Sequence, residues 1–85
     1  MGDILIVDDE RDIRELISDI LQDEGFETRI AGTAEECMKE VDAAPPGLLI
    51  LDLWLKDRDL DGIDILKKVK KNYPQVDVGL IAEPP

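Results

Sequence analysis

Apolar positions along this chain fall into two periodicities. Ile4-Leu5-Ile6-Val7 is an unbroken aliphatic run ending in Asp8-Asp9-Glu10, and Leu48-Leu49-Ile50-Leu51 repeats the form and ends in Asp52. Short apolar runs without polar alternation predict strands covered on both faces, as in a parallel sheet. Between them, from Arg11 to Glu24, Ile13, Leu16, Ile17, Ile20 and Leu21 recur at three- and four-residue steps. That spacing predicts a helix with one apolar stripe opposite a charged face. Gly25 stands where a helix end takes a left-handed residue.

The same reading continues to the last residues. Phe26 to Ala31 predicts a second strand, less apolar and so suited to a sheet edge. Thr33 with Glu36 has the form of a capping box, and Ala34, Cys37, Met38 and Val41 supply the apolar side of a short second helix. Pro45-Pro46-Gly47 stops it. After a charged loop from Lys56 to Asp61, Gly62 introduces a third helix in which Ile63, Leu66 and Val69 share a face. Lys67, Lys68, Lys70 and Lys71 crowd towards its C-terminus, where the helix dipole favours cations, and read as a solvated helix end. Tyr73-Pro74 ends that helix, and Val76 to Ala82 predicts a fourth strand. The order β-α-β-α-β-α-β implies an α/β fold with a parallel sheet, right-handed crossovers and helices on both faces. Residues 1–85 are expected to form one domain without internal repeat or interdomain linker, and Pro84-Pro85 has the form either of the start of a linker or of a cut end.

Composition narrows the function. A net charge of −11 argues against nucleic acid as a direct partner, since binding phosphates takes a basic surface, but acidity of this kind by itself names no ligand. The single cysteine, Cys37, can form no internal disulfide, which fits a reducing cytoplasm. It falls on the apolar side of its helix, and with no histidine to activate it Cys37 reads as a buried structural thiol. No apolar run approaches the roughly 20 residues that span a bilayer. Nor is there a signal-peptide pattern, and Ile6 stands where myristoylation wants Ser or Thr. A soluble, cytoplasmic protein without a membrane partner is expected.

In an open parallel sheet, functional groups gather outside the carboxyl ends of the strands, so Asp8, Asp9 and Asp52 should share one cleft if their strands are neighbours. Two like charges about 4 Å apart repel by roughly 4 kcal/mol at an effective dielectric near 20, so the cluster calls for a counterion. Oxygen ligands with no histidine or thiolate point to a hard cation, and few protein ligands plus waters suit Mg2+ better than Ca2+; zinc is not supported. The ordinary alternative is that these aspartates are turn formers or helix caps. That alternative explains either site alone better than it explains two apolar strands each ending in aspartate.

These residues carry a family resemblance. Ile4-Leu5-Ile6-Val7-Asp8-Asp9-Glu10, Leu48-Leu49-Ile50-Leu51-Asp52-Leu53 and Asp61-Gly62 resemble the signatures of response regulator receiver (CheY-like) domains, and Trp54-Leu55-Lys56-Asp57 resembles the NtrX-type nitrogen-regulatory regulators. The resemblance implies two-component signalling on a flavodoxin-like doubly wound sheet of order 2-1-3-4-5, here truncated after the fourth strand and lacking the last strand and helices. It implies that Asp52 takes a phosphoryl group from a sensor histidine kinase, a step of self-phosphorylation and self-dephosphorylation rather than enzyme turnover on a separate substrate. Asp9, with Asp8 through water, would hold Mg2+ together with Asp52 and the backbone carbonyl of Trp54. Departures are visible too: Ala82 stands where the family has a switch Ser or Thr, Lys56 stands where a proline commonly follows, and the lysine after a fifth strand has no counterpart. They bear on phosphorylation efficiency and switching rather than on metal binding.

Other functions remain. A non-switching protein-interaction module would keep the receiver fold and metal site without efficient phosphorylation. An aspartate-nucleophile phosphatase wants a second acid two residues after the nucleophile, where Trp54 stands, and no G-x-G-x-x-G or Walker pattern follows the first strand. An unpaired edge at Val76 to Ala82 and an uncovered sheet face predict a homodimer.

Overall fold

The computed structural model describes residues 3–57 and 60–81. The two aliphatic runs become β1 (Ile4–Val7) and β3 (Leu48–Asp52), which pair in parallel from Ile4 opposite Leu48 to Val7 opposite Leu51. Flanking them are β2 (Thr28–Ala31), parallel to β1, and β6 (Asp77–Ile81), parallel to β3, giving the order β2-β1-β3-β6. The connections are α1 (Arg11–Asp23), α2 (Ala34–Ala43) and, before β6, α3 (Gly62–Asn72).

Strand alternation splits the core between two faces. Leu5, Val7, Leu49 and Leu51 point to one side and are sealed there by Ala34, Cys37 and Val41 of α2 and Ile65 and Val69 of α3. Ile4 and Ile6 are buried on the other side, shared with α1, whose Ser18 hydroxyl bonds the Thr28 hydroxyl at 2.7 Å. Gly25, at φ 94°, closes α1: its N–H donates to the Gln22 carbonyl at 2.9 Å and the Phe26 N–H to that of Leu21 at 3.0 Å. That cap takes up Phe26, so β2 starts at Thr28 rather than at Phe26.

Other expectations are corrected. The α1 stripe is only partly covered: Leu16 and Ile20 are 55% and 54% exposed, while Ser18 is buried. In α3 the inward face is Gly62, Ile65 and Val69; of the expected stripe, Val69 is buried and Leu66 is half-buried against the core, but Ile63 is exposed. Asp61 sets that phase, because its side chain accepts from the Asp64 N–H while the Asp64 side chain accepts from the Asp61 N–H. Thr33 does cap α2, at 3.1 Å from the Glu36 N–H, but the Glu36 carboxylate accepts from the N–H of Gly32 rather than from that of Thr33. The expected charged loop contains two short antiparallel strands, β4 (Lys56–Asp57) and β5 (Leu60–Asp61). The fourth sheet strand covers Asp77–Ile81; Ala82 lies outside the described residues.

Candidate functional site

Because β1 and β3 are adjacent, parallel and in register, their C-terminal ends open at one place. Asp8 follows Val7 there and Asp52 ends β3 beyond Leu51. One carboxylate oxygen from each of Asp8, Asp9 and Asp52 lies within 4.8 Å of the others. Asp8 and Asp52 are only 4% and 8% exposed, whereas Asp9 faces solvent. The sheet walls therefore hold two of the three carboxylates out of bulk water.

Both buried carboxylates also shape their own loops. Asp8 Oδ1 accepts from the Glu10 N–H at 2.8 Å, and Asp52 Oδ1 accepts from the Trp54 N–H at 2.8 Å. Turn formation and clustering thus coexist, and the turns leave the second oxygen of each carboxylate without a donor among the described residues. Beyond Asp52 the chain is tied back closely: the Leu53 N–H donates to the Ile81 carbonyl at 2.9 Å, Leu55 to Asp52 at 3.1 Å and Gly62 to Leu55 at 2.9 Å. Trp54 sits in this turn with its side chain exposed, and Leu55 is buried.

The electrostatics favour a cation. Burial pushes the Asp8 carboxyl above its ordinary value, the neighbouring charges of Asp52, Asp9 and Glu10 push the same way, and the Glu10 N–H partly opposes them. Among the described residues, no ion pair links a lysine or arginine to Asp8, Asp9 or Asp52. Carboxylate oxygens with an open, solvated side at Asp9 fit a hard divalent ion that retains waters. Lys67, Lys68, Lys70 and Lys71 are exposed towards the far end of α3, as their spacing suggested.

One residue beside the site escaped the sequence reading. Arg14, one turn into α1, donates from Nη1 to the Asp8 carbonyl oxygen at 2.9 Å. Its partner is a main-chain oxygen, which no side-chain motif announces; the available signal was a basic residue one turn beyond the acidic pair.

Comparison with known proteins agrees with this geometry. The family model described as response regulator receiver domain matches residues 4–83. The nitrogen assimilation regulatory protein NtrX of Azorhizobium caulinodans is 45% identical over 80 residues, covering 94% of this chain and 18% of that protein. The crystal structure of the receiver domain of NtrX from Brucella abortus superposes with a TM-score of 0.87 at 45% identity, covering 92% of this chain and 65% of that one. That of the response regulator TrrA from Thermotoga maritima in complex with Mg2+-BeF superposes with a TM-score of 0.83 at 33% identity, covering 92% and 66%. The chain thus spans under a fifth of the length of the curated relative and about two-thirds of the isolated receiver structures.

Proposed function

This chain belongs to the response regulator receiver family, with NtrX-like relatives, and from that premise we propose that Asp52 is its phosphoacceptor. The observation that carries the reading is the convergence of the Asp8, Asp9 and Asp52 carboxylates within 4.8 Å at the ends of two adjacent strands. An oxygen of Asp52 attacks the phosphorus of a phosphohistidine on a sensor histidine kinase. The P–N bond breaks, its electron pair stays on the imidazole, and an acyl phosphate forms on Asp52. Attack by water on that phosphorus later returns the free carboxylate and inorganic phosphate, so the chain serves as a signalling carrier rather than as an enzyme acting on a separate substrate.

Asp9 and Asp52, the backbone carbonyl of Trp54, and Asp8 through water would hold Mg2+. When bound, that ion offsets repulsion between the carboxylates and the incoming phosphoryl oxygens. The chain's own contribution is to hold Asp52 with Oδ1 engaged by the Trp54 N–H, so that the other oxygen is the nucleophile. A cytoplasmic location and the absence of direct nucleic-acid binding by these residues fit the net charge of −11 and the absence, among the described residues, of a helix long and apolar enough to cross a membrane.

Ala82, at the position of the family's switch hydroxyl, favours a second reading in which the chain is a non-switching protein-interaction module that keeps the metal site without efficient phosphorylation. Acetyl phosphate with Mg2+ separates the two. A single phosphoryl group detected by intact mass and lost in Asp52→Asn supports the first reading. No phosphoryl gain, with Mg2+ binding intact, favours the second.

A further inference from the structure

Arg14 occupies an unusual position for a cation beside an acidic cluster. Its guanidinium bonds the Asp8 main-chain carbonyl, not a carboxylate, at 2.9 Å. It lies over Gly32 so closely that a Cβ there would stand 2.7 Å from Arg14 Nη1 and 3.1 Å from its Cζ. The Glu36 carboxylate oxygen that accepts the Gly32 N–H at 2.9 Å would stand 3.4 Å from the same Cβ. Arg14 Nε is buried without a hydrogen-bond partner. Buried unpaired donors are disfavoured, so packing elsewhere must hold the guanidinium in this seat.

We propose that Arg14 is a positioning residue for the acidic site: seated on Gly32, it clamps the Asp8 carbonyl and thereby fixes the Asp8–Glu10 loop that presents two of the three carboxylates. The seat explains the chemistry of both partners. A guanidinium aimed at a carboxylate would neutralise it and compete with a cation; aimed at the carbonyl, it orders the same loop and leaves the carboxylate oxygens free. Gly32 is the complementary feature, since any side chain there displaces the guanidinium. Among the described residues the loop's other anchors are main-chain or local: the Asp8 N–H reaches the Ala31 carbonyl at 3.2 Å, the Glu10 N–H the Asp8 carboxylate at 2.8 Å, and the Glu10 carbonyl accepts the Arg14 N–H at 3.0 Å. Ligand groups held loosely lose affinity even when all are present, because binding must then order them.

This inference rests on reading the cluster as a Mg2+ site, and the experiment separates the two. Amide exchange at Glu10 in metal-free protein tests the clamp without any ion. Mg2+ titration, followed by Trp54 fluorescence and the amide shifts of Asp9 and Asp52, tests its consequence. Arg14→Gln and Gly32→Ala are each expected to speed Glu10 exchange and weaken Mg2+ binding by roughly tenfold, a loss typical of removing a group that orients a metal ligand. The double variant should lose no more than either single one, because both act on one contact. Arg14→Lys, which keeps a charged donor on a flexible stem, should recover part of the affinity.

Unchanged Glu10 exchange in folded Arg14→Gln overturns the clamp. Tighter Mg2+ binding in that variant also overturns it, by showing that charge repulsion outweighs ordering. If Arg14→Gln does not fold, Gly32→Ala alone decides by the same two readouts. Faster exchange in both variants with no Mg2+ response in the parent chain would keep the clamp and reject the metal reading.

Discussion

Gly62, the first residue of α3, lies directly on the backbone of Asp52: a Cβ on it would overlap the Asp52 carbonyl oxygen and stand 2.8 Å from both the Cα and the carbonyl oxygen of Leu53. The helix thus meets the proposed phosphoacceptor strand backbone to backbone. Ordinarily Gly to Ala in a helix gains about 1 kcal/mol of propensity. Here the added methyl meets main chain, which cannot rotate aside, and forced repacking of this kind costs roughly 1–3 kcal/mol or more. Gly62→Ala is therefore expected to lower stability in urea unfolding and to disturb the Asp52 and Trp54 amide shifts. Equal or higher stability with unmoved shifts would show that α3 can withdraw without cost.

How much of this was legible follows from what each element depends on. β1 and β3 were readable because both faces are covered, so their aliphatic runs carry no ambiguity, and the aspartates ending them pointed to the cluster through topology alone. The phase of α3 was not readable from Ile63, Leu66 and Val69, because Ile65 fits the same periodicity and the Asp61 cap decides which face turns inward. The β4–β5 pairing is too short for alternation to show. Arg14 was silent because its partner is a carbonyl, and Gly32 and Gly62 because the space they leave open is filled by residues distant in the chain.

Asp8 makes stability depend on pH in an identifiable direction. Its folded-state carboxyl is raised, chiefly by burial and then by neighbouring charges, so the folded chain holds this proton more tightly than the unfolded chain. Stability from Asp8 is then full below the ordinary carboxylate range near pH 4 and is lost as pH rises through the raised value. Metal-free Asp8→Asn, which keeps an oxygen for the Glu10 N–H, should gain on the parent chain as pH climbs from about 4 to 7. Urea unfolding at several pH values measures that difference. A gap between the two proteins that narrows with rising pH would contradict the assignment.

Cys37, on the inward face of α2, is fully buried in the core, and burial pushes its thiol up to about 12, with the Asp42 charge adding to the effect. At neutral pH almost no thiolate is present to react. Alkylation by iodoacetamide should be negligible in the folded chain and proceed only as fast as the chain opens. Rapid labelling under native conditions, with no loss of folded signal, would place Cys37 outside the core.

At the opposite end of β1 from the site, Arg29 joins three segments. Its guanidinium pairs with Asp3, donates to the Glu40 carbonyl and carboxylate at 3.1 Å each, and reaches the Ala44 carbonyl at 2.7 Å. Lysine has the charge but not the fork, so Arg29→Lys leaves several acceptors short of donors. The expected cost is roughly 1–3 kcal/mol, the usual range for charge-assisted hydrogen bonds. Mg2+ affinity should stay unchanged, because Asp8 and Asp9 lie beyond the other end of the strand. A matching loss of Mg2+ affinity in the folded variant would reveal coupling along β1 that the geometry does not suggest.

The 85-residue chain by itself is expected to self-associate, and the reason is the distribution of its apolar surface. Ile13, Leu16 and Ile20 form one exposed stripe along α1, and Leu80 is exposed on β6. Among the described residues β6 pairs only with β3, so its outer edge offers free main-chain donors and acceptors. Open edges recruit further strands, and contiguous apolar patches beyond a few hundred Å2 are uncommon on soluble monomers. The net charge of −11 opposes association at long range, but salt screens it within about 8 Å at physiological ionic strength, while apolar burial acts at contact. Burial should therefore win and give a two-fold dimer covering more than roughly 1,000 Å2 of surface, with the acidic site left open. Light scattering coupled to size exclusion measures the mass. Leu16→Lys with Ile20→Lys should return the chain to a folded monomer if α1 forms the contact, and a lysine at Leu80 should do so if β6 does. A cooperative parent monomer at high micromolar concentration and moderate salt would show that neither surface drives association.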